Sequence, residues 1–124
     1  MNAYDMARTT YAATTAPVRT DRDTEYDAFA RITRQMKRAA SKPGDFPLLA
    51  KALHDNRRLW NILAADIASE GNALPAHLRA QILYLAEFTA VQSRRVLNHD
   101  AAIDVLIDIN TAIMRGLRNQ ETVA

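Results

Sequence analysis

The chain of 124 residues contains no cysteine and only three glycines and four prolines. Without cysteine there is no disulfide framework, thiol nucleophile or cysteine-ligated metal, and the composition suits the reducing cytoplasm in which we expect the protein. Glycine-rich phosphate loops are excluded, and neither GxSxG nor HExxH occurs. No apolar run reaches the roughly 18 residues of a membrane span, and the first residues do not resemble a secretory signal. An enzyme is therefore the least supported class.

Hydrophobic residues make up 48% of the chain, and 23 residues are alanine. Because alanine, leucine and arginine are good helix formers, we predict an all-α protein, a small bundle of four main helices. The length suits one helical domain over residues 1–124, with the bundle at 20–119. Residues 1–19 are expected to be a mobile segment, in which Tyr4, Ala7 and Tyr11 share a face and favour a short helix.

Turn signals divide the bundle. The sequence predicts a first helix from residue 20 or 21 to 41, a second over 47–69, a third over 75–97 and a fourth that Asp100 caps and that ends near 119. The third helix is apolar on two sides, so we expect it to be central. The first is poor in large apolar residues and is expected to lean on a core made by the other three; its anchors are Phe29, Ile32 and Met36.

The second helix carries the only tryptophan, Trp60, at helical spacing among leucines. Such a residue is usually part of the core, yet tryptophan next to arginine is also typical of binding interfaces. Two amides, Asn56 and Asn110, interrupt apolar stripes, and a buried amide needs a partner. Each is expected either to bond within the bundle and fix its register or to face a groove where a partner's backbone arrives.

Four cations recur at helical spacing on the first helix: Arg31, Arg34, Lys37 and Arg38. They indicate a possible RNA-binding face, since a few such charges supply salt-dependent affinity for phosphates. Acidic residues precede them, and no aromatic residue is interleaved to stack on bases, so a solvated face is the favoured interpretation.

The remaining polar residues predict no metal, cofactor or catalytic site. The three histidines, His54, His77 and His99, lie apart without ligand spacing. Asp104 and Asp108 are four residues apart but have arginines nearby, which is typical of a solvated charged face rather than of an acid–base pair.

The order of several short motifs resembles the FlaF family of flagellar biosynthesis regulators. These motifs are NRRLW at 56–60, a following Asp66, NALP at 72–75 with Leu78-Arg79 after it, and LIDIN…I..GL across 106–117. The resemblance covers residues 47–118, and Ala3-Tyr4 is similar too. It implies a cytoplasmic, non-enzymatic protein that binds flagellin as an adaptor or export chaperone and acts alongside FlbT.

A small helical bundle with spare apolar surface can hold an amphipathic segment in a groove. We expect the floor of that groove at Leu59, Trp60, Leu63 and Phe88, its rim at Arg57 and Arg58, and Asn110 nearby. Two alternatives stay open: post-transcriptional regulation by RNA binding at the first helix, and a homo-oligomeric structural role.

Overall fold

A computed structural model describes residues 21–69, 71 and 74–123 and the side chains within 25–116 of that range. These residues form four helices and no strand: α1 (Asp21–Ala40), α2 (Phe46–Ala68), α3 (Ala76–Leu97) and α4 (Asp104–Val123). The all-α prediction is confirmed, whereas the short helix expected within residues 1–19 lies outside the described residues. None of the described helices combines the length and apolarity needed to cross a membrane.

Local signals set the start of α2 and α3. Before α2 the chain turns at Gly44, whose φ of 94° favours glycine. The side chain of Asp45 then accepts a hydrogen bond from the backbone N–H of Leu48 at 3.1 Å and so satisfies one of the free amides of the first turn. Pro75 precedes α3, where its fixed φ suits entry into a helix.

The predicted start of α4 is wrong. The backbone N–H of Asp100 donates to the carbonyl of Arg95 at 2.8 Å, so Asp100 closes the end of α3 instead of capping the next helix. His99 takes a left-handed φ of 63° in the same turn. The helix begins only at Asp104, and its last described residue is Val123, four residues beyond the predicted end at 119.

The predicted roles of the first and third helices are also corrected. Helix α1 packs extensively against both α2 and α4, whereas α3 packs mainly on α2 and touches α4 little. The three large apolar residues expected to anchor α1 are all buried; they are Phe29, Ile32 and Met36. A helix with a narrow apolar stripe can therefore still close a bundle when every residue of that stripe enters the core.

A layer of buried polar residues separates two hydrophobic clusters. The first cluster includes Phe29, Trp60 and Ile82, and the second includes Met36, Leu53 and Leu106. On α1, α2 and α3 the buried polar positions fall between the two clusters in sequence, and on α4 the buried amide lies next to Ile109, which packs against the first cluster; these positions are Thr33 on α1, Asn56 on α2, Thr89, Gln92 and Ser93 on α3, and Asn110 on α4. Every helix thus contributes a polar group at mid-height of the bundle.

Because α1 closes the core, Phe29→Ala should lower the free energy of unfolding by about 3–5 kcal/mol. The matched control is Phe46→Ala, at a position where the ring is half exposed, which should cost under about 1 kcal/mol. Urea unfolding followed by circular dichroism measures both. Equal, small losses for the two variants would show that α1 does lean loosely on the other helices.

Candidate functional site

Trp60 and the two buried amides form a continuous chain of hydrogen bonds. The indole Nε1–H of Trp60 donates to Asn110 Oδ1 at 3.0 Å, and Asn110 Nδ2 donates to Asn56 Oδ1 at 2.8 Å. All three side chains are fully buried. Since α2 and α4 are not among the extensively packed helix pairs, this chain links them across the interior. The interpretation that the asparagines bond within the bundle is confirmed.

The indole fixes the direction of this chain. An indole N–H can only donate, so Asn110 must present its oxygen to Trp60 and its amide nitrogen to Asn56. Asn56 Nδ2 is then left at the end of the chain, and it has no partner among the described residues. An unpaired buried donor costs free energy, so the chain favours one register of α2 against α4 at some expense of stability.

The position of Trp60 resolves its two interpretations in favour of the core. Its ring meets that of Phe29 edge to face, with the centroids 5.7 Å apart and the planes at 85°. Leu63 is buried in the same cluster. The predicted groove floor is therefore not an open surface at Trp60 and Leu63, because both are buried, and Asn110 lies inside the bundle rather than at a groove.

The other predicted partner-binding residues are more accessible. Leu59 and Phe88 are half-buried, Arg57 is half-buried and Arg58 is exposed. They are divided between two helices, since Phe88 lies on α3, where its ring stacks on that of Tyr84. The four cations of the alternative RNA-binding face are all exposed; they are Arg31, Arg34, Lys37 and Arg38.

The outward side of α3 carries an apolar surface that we call the α3 stripe: Ala80, Tyr84, Phe88 and Val91. Tyr84 is 65% exposed and Val91 44% exposed. The rings of Tyr84 and Phe88 stack with centroids 6.5 Å apart and planes at 27°. Beside them lies a shallow hollow of about 460 Å³ lined by Ala80, Gln81, Tyr84 and Leu85. Spacings of four, four and three residues keep the stripe on one side of the helix.

Sequence reasoning missed Tyr84 and Val91, although a signal was present. A helix that is apolar on two sides is either central or has one apolar side exposed, and periodicity does not separate these cases. The α3 stripe lies on the side opposite the buried residues Ile82, Thr89 and Val96. Large exposed apolar side chains in a continuous row are typical of interaction surfaces.

A second concave surface lies between α1 and α2, and we call it the α1–α2 cleft. It has a volume of about 320 Å³ and is lined by Ala28, Arg31, Ile32, Asp55, Arg58, Leu59 and Ile62. The fold thus brings Arg31, from the predicted basic face, next to Arg58 and Leu59, from the predicted groove. No cluster of three potential metal ligands occurs in the described part of the chain.

The comparisons with known proteins extend the sequence resemblance. Residues 7–117 match the family model of flagellar protein FlaF. The chain belongs to the FlaF family. Neither curated proteins nor solved structures gave a match. The family match starts well before residue 47, where the motif resemblance began, so it includes all of α1 as well as α2, α3 and most of α4. Both the α3 stripe and the α1–α2 cleft lie within the FlaF region.

The amide chain in the core of this FlaF-family protein gives a stability prediction. Asn110→Ala leaves Trp60 Nε1 and Asn56 Oδ1 unpaired and should cost roughly 2–4 kcal/mol, whereas Asn61→Ala, at an exposed position of α2, should cost under about 0.5 kcal/mol. In a double-mutant cycle with Trp60→Phe, the coupling energy to Asn110→Ala should reach about 1 kcal/mol. Additive losses in denaturant titrations would contradict the hydrogen-bonded chain.

Proposed function

We propose that this FlaF-family protein binds flagellin in the cytoplasm as an adaptor or export chaperone and so promotes flagellin synthesis and secretion. The observation that carries the proposal is the α3 stripe, a row of large apolar side chains on a helix whose opposite side is buried. FlbT is the functional counterpart that the family resemblance suggests.

The α3 stripe has the chemistry that an amphipathic helix requires. Tyr84, Phe88 and Val91 cover about two helical turns, which matches the spacing of anchors on the apolar face of a docked helix. The stacked rings present large, rigid apolar area at low cost in side-chain entropy. Burial of that area contributes roughly 25 cal/mol per Å² before the costs of association, so a client helix gains most of its affinity there.

This surface replaces the groove expected at Trp60. Phe88 keeps the partner-binding role expected for it, whereas Trp60, Leu63 and Asn110 stabilise the interior of the bundle. Arg57, Arg58 and Leu59 lie on α2 and do not contribute to the α3 stripe. The proposed flagellin site therefore consists of Tyr84, Phe88 and Val91, with Leu83 exposed on the same helix.

A second candidate function is post-transcriptional control of flagellin through RNA. The exposure of Arg31, Arg34, Lys37 and Arg38 along α1 supports it, because phosphate contacts need solvent-facing cations. The two functions differ in salt dependence. Contacts to phosphates weaken steeply as salt rises, whereas apolar docking is little affected.

The test is a binding assay of the purified full chain against the host's flagellin and against its flagellin messenger RNA, each at about 50 and 500 mM salt. We expect salt-resistant binding of flagellin that Tyr84→Ser/Val91→Ser weakens by about tenfold or more, since both substitutions remove apolar contact area.

The control is Phe46→Ser/Val105→Ser, which alters two other exposed apolar residues, 51% and 41% exposed, on α2 and α4. It should leave flagellin binding within about threefold of the unmodified protein, and circular dichroism should show the same helicity for all variants. Salt-sensitive binding of RNA alone would overturn the proposal. So would self-association in sedimentation that the α3 substitutions abolish without any flagellin complex.

A further inference from the structure

The α1–α2 cleft has features that the proposed flagellin site does not use. Its floor is aliphatic: Ile32 is buried, Leu59 is half-buried and Ile62 is 56% exposed. Its volume of about 320 Å³ lies at the small end of the range for binding pockets, roughly 300–1,000 Å³. The cleft therefore fits one or two aliphatic side chains of a partner.

The charge at this cleft is positive. Arg31 and Arg58 line it, one from each helix, and neither forms an ion pair with a described residue. The only carboxylate in the lining, that of Asp55, already pairs with Lys51 at 2.9 Å. Two exposed guanidinium groups without an ion-pair partner in the described part of the chain thus lie beside an aliphatic floor, and their N–H groups can bind a carboxylate.

We infer that the α1–α2 cleft binds an acidic segment of a protein partner, with an aliphatic side chain over Ile32 and Ile62 and a carboxylate between Arg31 and Arg58. Charge complementarity selects the acidic partner. Nucleic acid fits less well, because no aromatic side chain lines the cleft to stack on a base. A bare anion would leave the aliphatic floor unused.

The α1–α2 cleft shares no lining residue with the α3 stripe. The two surfaces consist of different residues, so the inference does not depend on the identity of the client at α3. It also gives Arg58 and Leu59, both expected to contact a partner, a role at a different surface from the one predicted.

The test uses fluorescein-labelled peptides of about 15 residues, long enough to form a few helical turns. One peptide has leucines on one face flanked by glutamates; in two others the glutamates are glutamine or lysine. Anisotropy titrations with the full chain at about 100 mM salt should show the glutamate peptide binding at least about tenfold more tightly than the glutamine peptide.

Substitutions distinguish binding at the α1–α2 cleft from attraction by the positive charge of α1 in general. Arg31→Glu/Arg58→Glu should weaken the glutamate peptide by about tenfold or more and create a preference for the lysine peptide. Arg34→Glu/Arg38→Glu makes the same change of charge on α1 outside the cleft lining and should change affinity by less than about threefold. Ile62→Ser should also weaken binding, since it removes apolar floor.

All of these positions are exposed, and unchanged helicity confirms that the variants fold. Equal losses from the two arginine pairs would overturn the inference, because binding would then follow net charge. Failure of the glutamate peptide to bind the unmodified chain would overturn it as well. Neither result bears on flagellin binding at Tyr84 and Val91, so the two proposals fail separately.

Discussion

The hydrogen-bonded chain from Trp60 through Asn110 to Asn56 is the constraint on which the rest of the bundle depends. It joins α2 to α4 across the interior, inside a polar layer that divides the core into two hydrophobic clusters. Apolar contacts tolerate sliding of one helix along another, but a directional chain that starts at a donor-only indole does not. One register is thereby favoured, and with it the placement of every surface residue on α2 and α4.

The same core determines which side chains are buried and which are exposed. Helix α1 seals Trp60 by placing Phe29 on its ring, so the tryptophan stabilises the fold instead of forming an interface. The two surfaces that we propose for binding lie outside this core: the apolar α3 stripe and the positively charged α1–α2 cleft. If both proposals hold, the apolar site and the charged site are built from different residues on different helices.

The helices could largely be predicted from local sequence, whereas the residues of the candidate binding surface could not. Proline and glycine turn signals placed α2 and α3 closely, because such signals act within a turn. The N-cap predicted at Asp100 is wrong. An aspartate shortly before a helix is typical of an N-cap, but the backbone N–H of Asp100 bonds to the carbonyl of Arg95 and so belongs to the end of α3. Helical periodicity showed that α3 has two apolar sides, but it did not show which side is covered by other helices. The spacing of apolar residues around a tryptophan is likewise the same whether the tryptophan lies in a core or in a groove. Only tertiary packing distinguishes these cases.

The most direct test of a closed core with flagellin bound at α3 is the NMR signal of the single indole N–H during titration of the full chain with flagellin. If the core stays closed, the Trp60 resonance should stay in place and stay protected from exchange, while resonances of Tyr84, Phe88 and Val91 shift. A shifted or exchanging indole signal with an unaffected α3 would contradict it, because the bundle would then open and bind its client through the core.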